Sequence, residues 1–159
     1  MPKFEIDIEV GQRLTSAVAH NVALGLEMTE ISEGRCTMRL PYDQRLVGNP
    51  DTGVLHGGVI SSFIDTVSGL SVFSAVAEII PIATLDLRID YLKPATPEHD
   101  LLANAHCYKL TRSIAFVRAL AFHDDKADPV ATSVSTFMLG SAGSSAGNWP
   151  RQAAMGKGA

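Results

Sequence analysis

The stretch from Gly57 through Ala77 constrains this chain most, because it holds a single charge, Asp65, among Val59, Ile60, Phe63, Ile64, Val67, Leu70, Val72 and Phe73. By length it could cross a bilayer. Against that, Ser61, Ser62, Thr66, Ser68, Ser71 and Ser74 interrupt it, and a carboxylate near the centre of a membrane helix costs roughly 3 kcal/mol on an insertion scale. The stretch reads instead as a helix inside a globular domain, apolar nearly all round and so covered on most sides.

Strands supply the cover. Val22, Leu24, Leu26 and Met28 alternate with polar or small residues, and Cys36, Met38 and Leu40 alternate again, which predicts two strands joined at Glu33-Gly34. Thr15 to Ala19 is expected to close a short helix before them. Pro41 to Leu55, with Gly48-Asn49-Pro50-Asp51 and Gly53, reads as a loop. Beyond the helix, the alternations Leu85 to Tyr91, Leu101 to Leu110, Ile114 to Phe122 and Val130 to Met138 predict four strands in an antiparallel meander. The expected fold is α+β: an antiparallel sheet wrapped around a long central helix. One domain over residues 1–139 and a disordered tail over 140–159, opening with SAGSSAG, complete the expected organisation. The sequence has no internal repeat.

A chain of 159 residues fits one such domain. With 13 Lys+Arg against 17 Asp+Glu, the net charge of −4 argues against a nucleic-acid partner held on a basic face. The two cysteines, Cys36 and Cys107, lie far apart, which excludes a disulfide framework and points to a reducing compartment; with no apolar leader in MPKFEIDIEV, a cytoplasmic location is expected. The histidines are scattered, so neither a metal site nor a cofactor is expected, and no Gly-x-Ser-x-Gly elbow or phosphate-cradling lysine loop is present.

Two features remain that could carry chemistry. A buried carboxylate must be paired or hydrogen-bonded, so Asp65 is either a structural acid or a working one. At the helix start, His56-Gly57-Gly58 leaves backbone N–H groups open to a ligand oxyanion, although a tight turn alone would also explain the glycines. Asp65 stands eight residues beyond Gly57, about 12 Å along the axis and roughly 80° around it. One chain does not easily bring both to a single carbon. In a two-fold dimer with antiparallel helices, Asp65 of each subunit could reach the Gly57 amide of the other.

The run Gly48-Asn49-Pro50-Asp51-Thr52-Gly53-Val54-Leu55-His56-Gly57-Gly58, followed by Asp65-Thr66 and by Asp90-Tyr91-Leu92-Lys93-Pro94-Ala95, resembles the hotdog-fold acyl-CoA thioesterases, in particular their phenylacetate-pathway (PaaI-like) branch. The resemblance implies a hotdog domain that hydrolyses small, medium or aromatic acyl-CoA as a homodimer or dimer of dimers. It implies that the Gly57 amide polarises the thioester carbonyl and that Asp65 of the partner subunit acts as general base or nucleophile. His56 would orient the carbonyl, Asn49 the water or substrate, and Thr84 would hold the water. Asn49 stands seven residues before His56 where the family commonly has six. Thr84 falls by alternation with Asp86 and Arg88 on the polar face. For substrate binding the expected residues are Gly58, with Phe63 and Ile64 lining the acyl pocket and Lys93 and Arg112 facing coenzyme A phosphates. Two other functions fit the same motif: a non-catalytic acyl-CoA-binding hotdog module, and a hotdog dehydratase of hydroxyacyl thioesters that pairs His56 with Asp65.

Overall fold

In chain order the elements of the computed structural model, which describes residues 6–76, 78, 80–140 and 149–156, are helices α1 (Ile8–Ser16) and α2 (Ala19–Leu24) and strands β1 (Glu27–Ser32) and β2 (Arg35–Leu40). A 3-10 turn (Gln44–Leu46) and the short strands β3 (Val47–Asn49) and β4 (Val54–Leu55) lead into helix α3 (Gly57–Ala75). Strands β5 (Ile82–Tyr91), β6 (Leu101–Leu110), β7 (Ile114–Phe122) and β8 (Ala131–Leu139) follow, then helix α4 (Trp149–Met155).

Six strands form one antiparallel sheet in the order β1-β2-β6-β7-β8-β5, and β3-β4 make a separate ribbon. The sheet wraps α3, as the apolar pattern requires. Phe63, Ile64 and Val67 are fully buried against the inward side of the sheet. That side is rich in alanine on the central strands, with Ala103, Ala105, Ala115, Ala119 and Ala121 all buried. Small residues there let the helix's large side chains approach the strands closely, so the volume is filled from one side.

Three expectations need correction. Val22 to Leu24 is the end of α2 and not a strand: burial falls on Asn21 and Leu24, three apart, while Val22 is 59% exposed. Gly25, at φ 68°, then stops the helix, with Gly25 N–H donating to Val22 O and Leu26 N–H to Asn21 O. The strand starts only at Glu27. The first helix closes at Ser16, within the expected Thr15 to Ala19, and starts at Ile8 because Asp7 caps it by accepting from Val10 N at 2.8 Å. The four strands after α3 are not a simple meander. Strands β6, β7 and β8 are one, but β5 lies outside β8 and β6 pairs with β2, since the long connection from Leu92 to Asp100 frees β6 from its sequence neighbour. Finally, residues 149–155 of the expected disordered tail are helical. Ala154 is buried against α1 and its carbonyl accepts from Arg13 Nε at 3.0 Å. Residues 141–148 and 157–159 lie outside the described residues.

Candidate active site

Helix α3 is not covered on every side. Gly57, Ser61, Ser62, Asp65, Thr66 and Gly69 are only partly buried and Gly58 is exposed; their spacing of three and four places them on one face. Asp65 is therefore a partly exposed acid on an open polar strip, and the expectation of a buried carboxylate is corrected.

At the start of this face, His56 caps the helix. Its backbone is extended (φ −64°, ψ 134°), and its Nδ1 accepts from Gly58 N at 2.9 Å, so Nδ1 is the unprotonated ring nitrogen. The chain before it is held by His56 N donating to Leu46 O at 2.9 Å and by Gly48, where a Cβ would stand 2.9 Å from His56 Cα. Gly58 is needed for the cap, because a Cβ there would stand 2.9 Å from His56 Nδ1. We expect Gly58→Ala to displace the imidazole and lose the cap, worth about 1 kcal/mol, which offsets the gain of alanine over glycine in a helix, so that the urea unfolding midpoint stays nearly unchanged instead of rising.

The Gly57 N–H, first in the helix, finds no acceptor among the described residues. Its carbonyl is anchored, accepting from Tyr91 Oη at 2.9 Å and from Ser61 Oγ at 3.1 Å, while those two hydroxyls lie 2.6 Å apart. Tyr91 was part of the sequence motif but had no role assigned to it. Here it fixes the residue that carries the free amide.

Two turns along, Asp65 Oδ1 accepts from Thr84 Oγ1 at 2.8 Å. Strict alternation puts Thr84 on the polar face with Asp86, but the register breaks between them. Thr84 pairs with buried Phe137 whereas Asp86 pairs with Thr136. The extra residue, Leu85, flips the parity and turns Thr84 towards the helix.

Asn49 is exposed and closes the β3-β4 turn: its Oδ1 accepts from Asp51 N at 3.0 Å and its carbonyl from Gly53 N at 2.9 Å. Phe63 and Ile64 point into the core at 0% exposure and line none of the cavities described here. Lys93 is paired with Asp128, and Arg112 is exposed in the β6-β7 turn.

Three hollows surround the open face. The largest, about 460 Å³, contains Asp65 and Thr84 and is walled by Leu14, Thr15, Val18, His20 and Asn21 of the N-terminal region. A second, about 370 Å³, lies between Gly57 and residues Tyr91 to Ala95. The third, about 320 Å³, adjoins His56, Gly58 and Ser62. His20 borders the first and third, its Nε2 3.1 Å from Ser62 Oγ, and Thr66 Oγ1 donates to Asn21 Oδ1 at 3.0 Å, which ties α2 to α3. Nothing in the sequence marked the N-terminal helices as walls of the site.

The remaining reactive groups stand apart from this chemistry. Burial pushes the thiols of Cys36 and Cys107 up, away from the thiolate form a nucleophile needs. Among the described residues no three His, Cys, Asp or Glu gather as a metal site.

The described residues thus bring a carboxylate to a cavity wall and an unused amide to the start of the same helix, and comparison with known proteins gives the family. Residues 52–130 match the thioesterase superfamily. A protein of Halobacterium salinarum named as an esterase is 33% identical over 116 residues, covering 70% of this chain and 76% of its own. The chain belongs to the thioesterase superfamily. It has the hotdog fold and is a thioester hydrolase. A protein from Escherichia coli named medium/long-chain acyl-CoA thioesterase YigI is 26% identical over 144 residues, covering 82% of this chain and 92% of its own. A crystal structure from Pseudomonas aeruginosa superposes with a TM-score of 0.76 at 41% identity, covering 82% of this chain and 97% of that one.

Proposed function

We propose that this thioester hydrolase acts on acyl-CoA, taking small, medium or aromatic acyl groups, in clefts shared by two protomers. One observation carries the reading: a single open face of α3 bears at its start an amide without an acceptor among the described residues and, two turns on, a carboxylate held by a hydroxyl. The Gly57 N–H donates to the thioester carbonyl, where negative charge grows as the tetrahedral intermediate forms, and the helix dipole adds to its effect. Asp65 of the partner subunit takes a proton from water as the water oxygen bonds to the carbonyl carbon. Collapse breaks the C–S bond, and the proton passes to the departing thiolate. Direct attack by Asp65 would instead expel the thiolate and form an acyl-aspartyl anhydride, and water opening that anhydride at the aspartyl carbon would leave a protein oxygen in the acid, which single turnover in labelled water detects.

The other residues follow from their places. Thr84 aims the carboxylate, and His56 with Gly58 shapes the helix start. Asn49 keeps the loop in form, and its side-chain N–H groups face a substrate only if the partner's cleft reaches them. Lys93 and Arg112 are the cations offered to coenzyme A phosphates. Dimerisation is favoured by β5, a ten-residue edge strand with Leu85 54% exposed, an edge of the kind that pairs with another strand. A second copy of β5 would bring the two α3 helices side by side and antiparallel, and such dimers can pair again. Assignment to the PaaI-like branch and to the cytoplasm belongs to the same proposal. The name of YigI, an acyl-CoA thioesterase, supports the substrate class; a Streptococcus mutans protein of TM-score 0.65 was crystallised with acetyl CoA.

The test is a panel of acyl-CoA esters followed by free-thiol release, with the product acid identified. Release of coenzyme A and acid is the expected result. A thioester that binds and stays intact would make the protein a binding module, and loss of water from a hydroxyacyl-CoA with the thioester retained would make it a dehydratase.

A further inference from the structure

The large cavity changes character along α3. Near Ser62, Asp65 and Thr66 it is polar, and Thr84 adds a hydroxyl; near Leu70 and Phe73, with Ile82 and Phe137 opposite, it is apolar. From Asp65 to Phe73 the helix rises about 12 Å. Among the described residues of the wall, Asp65 is the only Asp, Glu, Lys or Arg.

Gly69 stands between the two ends, one turn beyond Asp65 and in the cavity wall. Its conformation does not demand glycine, since its φ is not positive. Packing does not demand it either: a Cβ would meet Ile82 Cδ1 at 3.6 Å and Phe137 Cε1 at 3.7 Å, ordinary contacts. Glycine inside a helix is destabilising relative to alanine. A side chain at this position would project into the cavity against Ile82 and Phe137 on the opposite wall, and glycine leaves that volume unfilled.

We infer that Gly69 sets the acyl length this site accepts: the missing side chain keeps open the way from Asp65 to the apolar end, which takes an uncharged chain of medium length. This rests on the thioesterase reading above. A short acyl group leaves the apolar end empty, and a chain ending in a carboxylate would bury that charge among Leu70, Phe73 and Phe137 without a partner.

The experiment compares wild type, Gly69→Ala and Gly69→Leu on acetyl-, hexanoyl-, decanoyl- and glutaryl-CoA. Binding of the thioether analogues of the same four is measured alongside. Wild type should prefer hexanoyl- or decanoyl-CoA to acetyl-CoA and turn over glutaryl-CoA at least about tenfold more slowly than hexanoyl-CoA. Gly69→Leu should lower the decanoyl-to-acetyl ratio of kcat/KM by about tenfold or more. Gly69→Ala should lower it less and raise Tm by about 2–4 °C, and it carries the test if the leucine variant does not fold. An unchanged ratio in the folded variants, or equal rates on glutaryl- and hexanoyl-CoA, would overturn the inference. If wild type releases no thiol from any ester, the thioesterase reading fails. The pocket inference then stands if thioether binding favours the longer chains in wild type and loses that preference in the variants, and falls if binding ignores chain length.

Discussion

Replacing Asp65 by asparagine is expected to lower kcat on the best acyl-CoA by about 100- to 10,000-fold, the usual worth of a general base, with KM changed only a few-fold. The substitution is close to isosteric. The amide oxygen can still accept from Thr84 Oγ1, which now bonds Asp65 Oδ1 at 2.8 Å, so the cavity wall keeps its shape while the ability to take a proton is lost. Asp65 is partly exposed and has no ion-pair partner among the described residues; its removal leaves no buried cation stranded, and Tm should stay nearly constant. A folded Asp65→Asn protein with wild-type kcat would remove this carboxylate from the reaction.

Gly57→Pro tests the other half of the chemistry. Proline deletes one backbone N–H and nothing else that the helix uses. It is favoured at the first helical position, where its ring fixes a φ already suited to the helix. His56, at φ −64° and ψ 134°, is in the extended region that a residue before proline prefers. A Cβ at position 57 would meet the Tyr91 ring at 3.8 Å, an ordinary contact. No hydrogen bond is lost, because the Gly57 amide has no acceptor among the described residues. The variant should fold, and kcat should drop about 100- to 1,000-fold, the cost of removing one oxyanion donor. Gly57→Ala, which keeps the N–H, is the control and should stay within about tenfold of wild type in kcat, because the donor that carries the effect is retained. Equal losses in the two variants would mean that the side chain and not the amide matters.

Much of this site could be read from the residues themselves. The lone charge of the apolar stretch marked Asp65, and His56-Gly57-Gly58 marked the helix start, because paired glycines after a capping residue do one of few things. The hairpin at Gly34, which adopts φ 69°, was legible for the same reason. The phase of α3 was misread. In a helix apolar nearly all round, period alone does not say which side is open, and Phe63 and Ile64 were placed at the pocket although they fill the core. The recurrence of small and polar residues at 57, 61, 65 and 69 carries that information. The resemblance put Thr84 at the site, where it meets Asp65, while alternation put it on the wrong face because a one-residue bulge reverses strand parity and no residue type at Leu85 announces it. The partnership of α1 and α2 with Asp65 is tertiary: His20 meets Ser62 from 42 positions away, a contact set by how the helices pack and not by local pattern.

Complementation between two disabled proteins tests most directly whether the reacting groups come from different subunits. Asp65→Asn and Gly57→Pro proteins are each inactive in this account, yet a mixed dimer contains one cleft with an intact Gly57 amide from the first and an intact Asp65 from the second. Dissociating and reassociating equal amounts should restore about a quarter of wild-type kcat per protomer, the share expected from random pairing in two-fold dimers. If verified mixed dimers remain as inactive as their parents, the cleft is not shared and both groups act, if at all, within one chain.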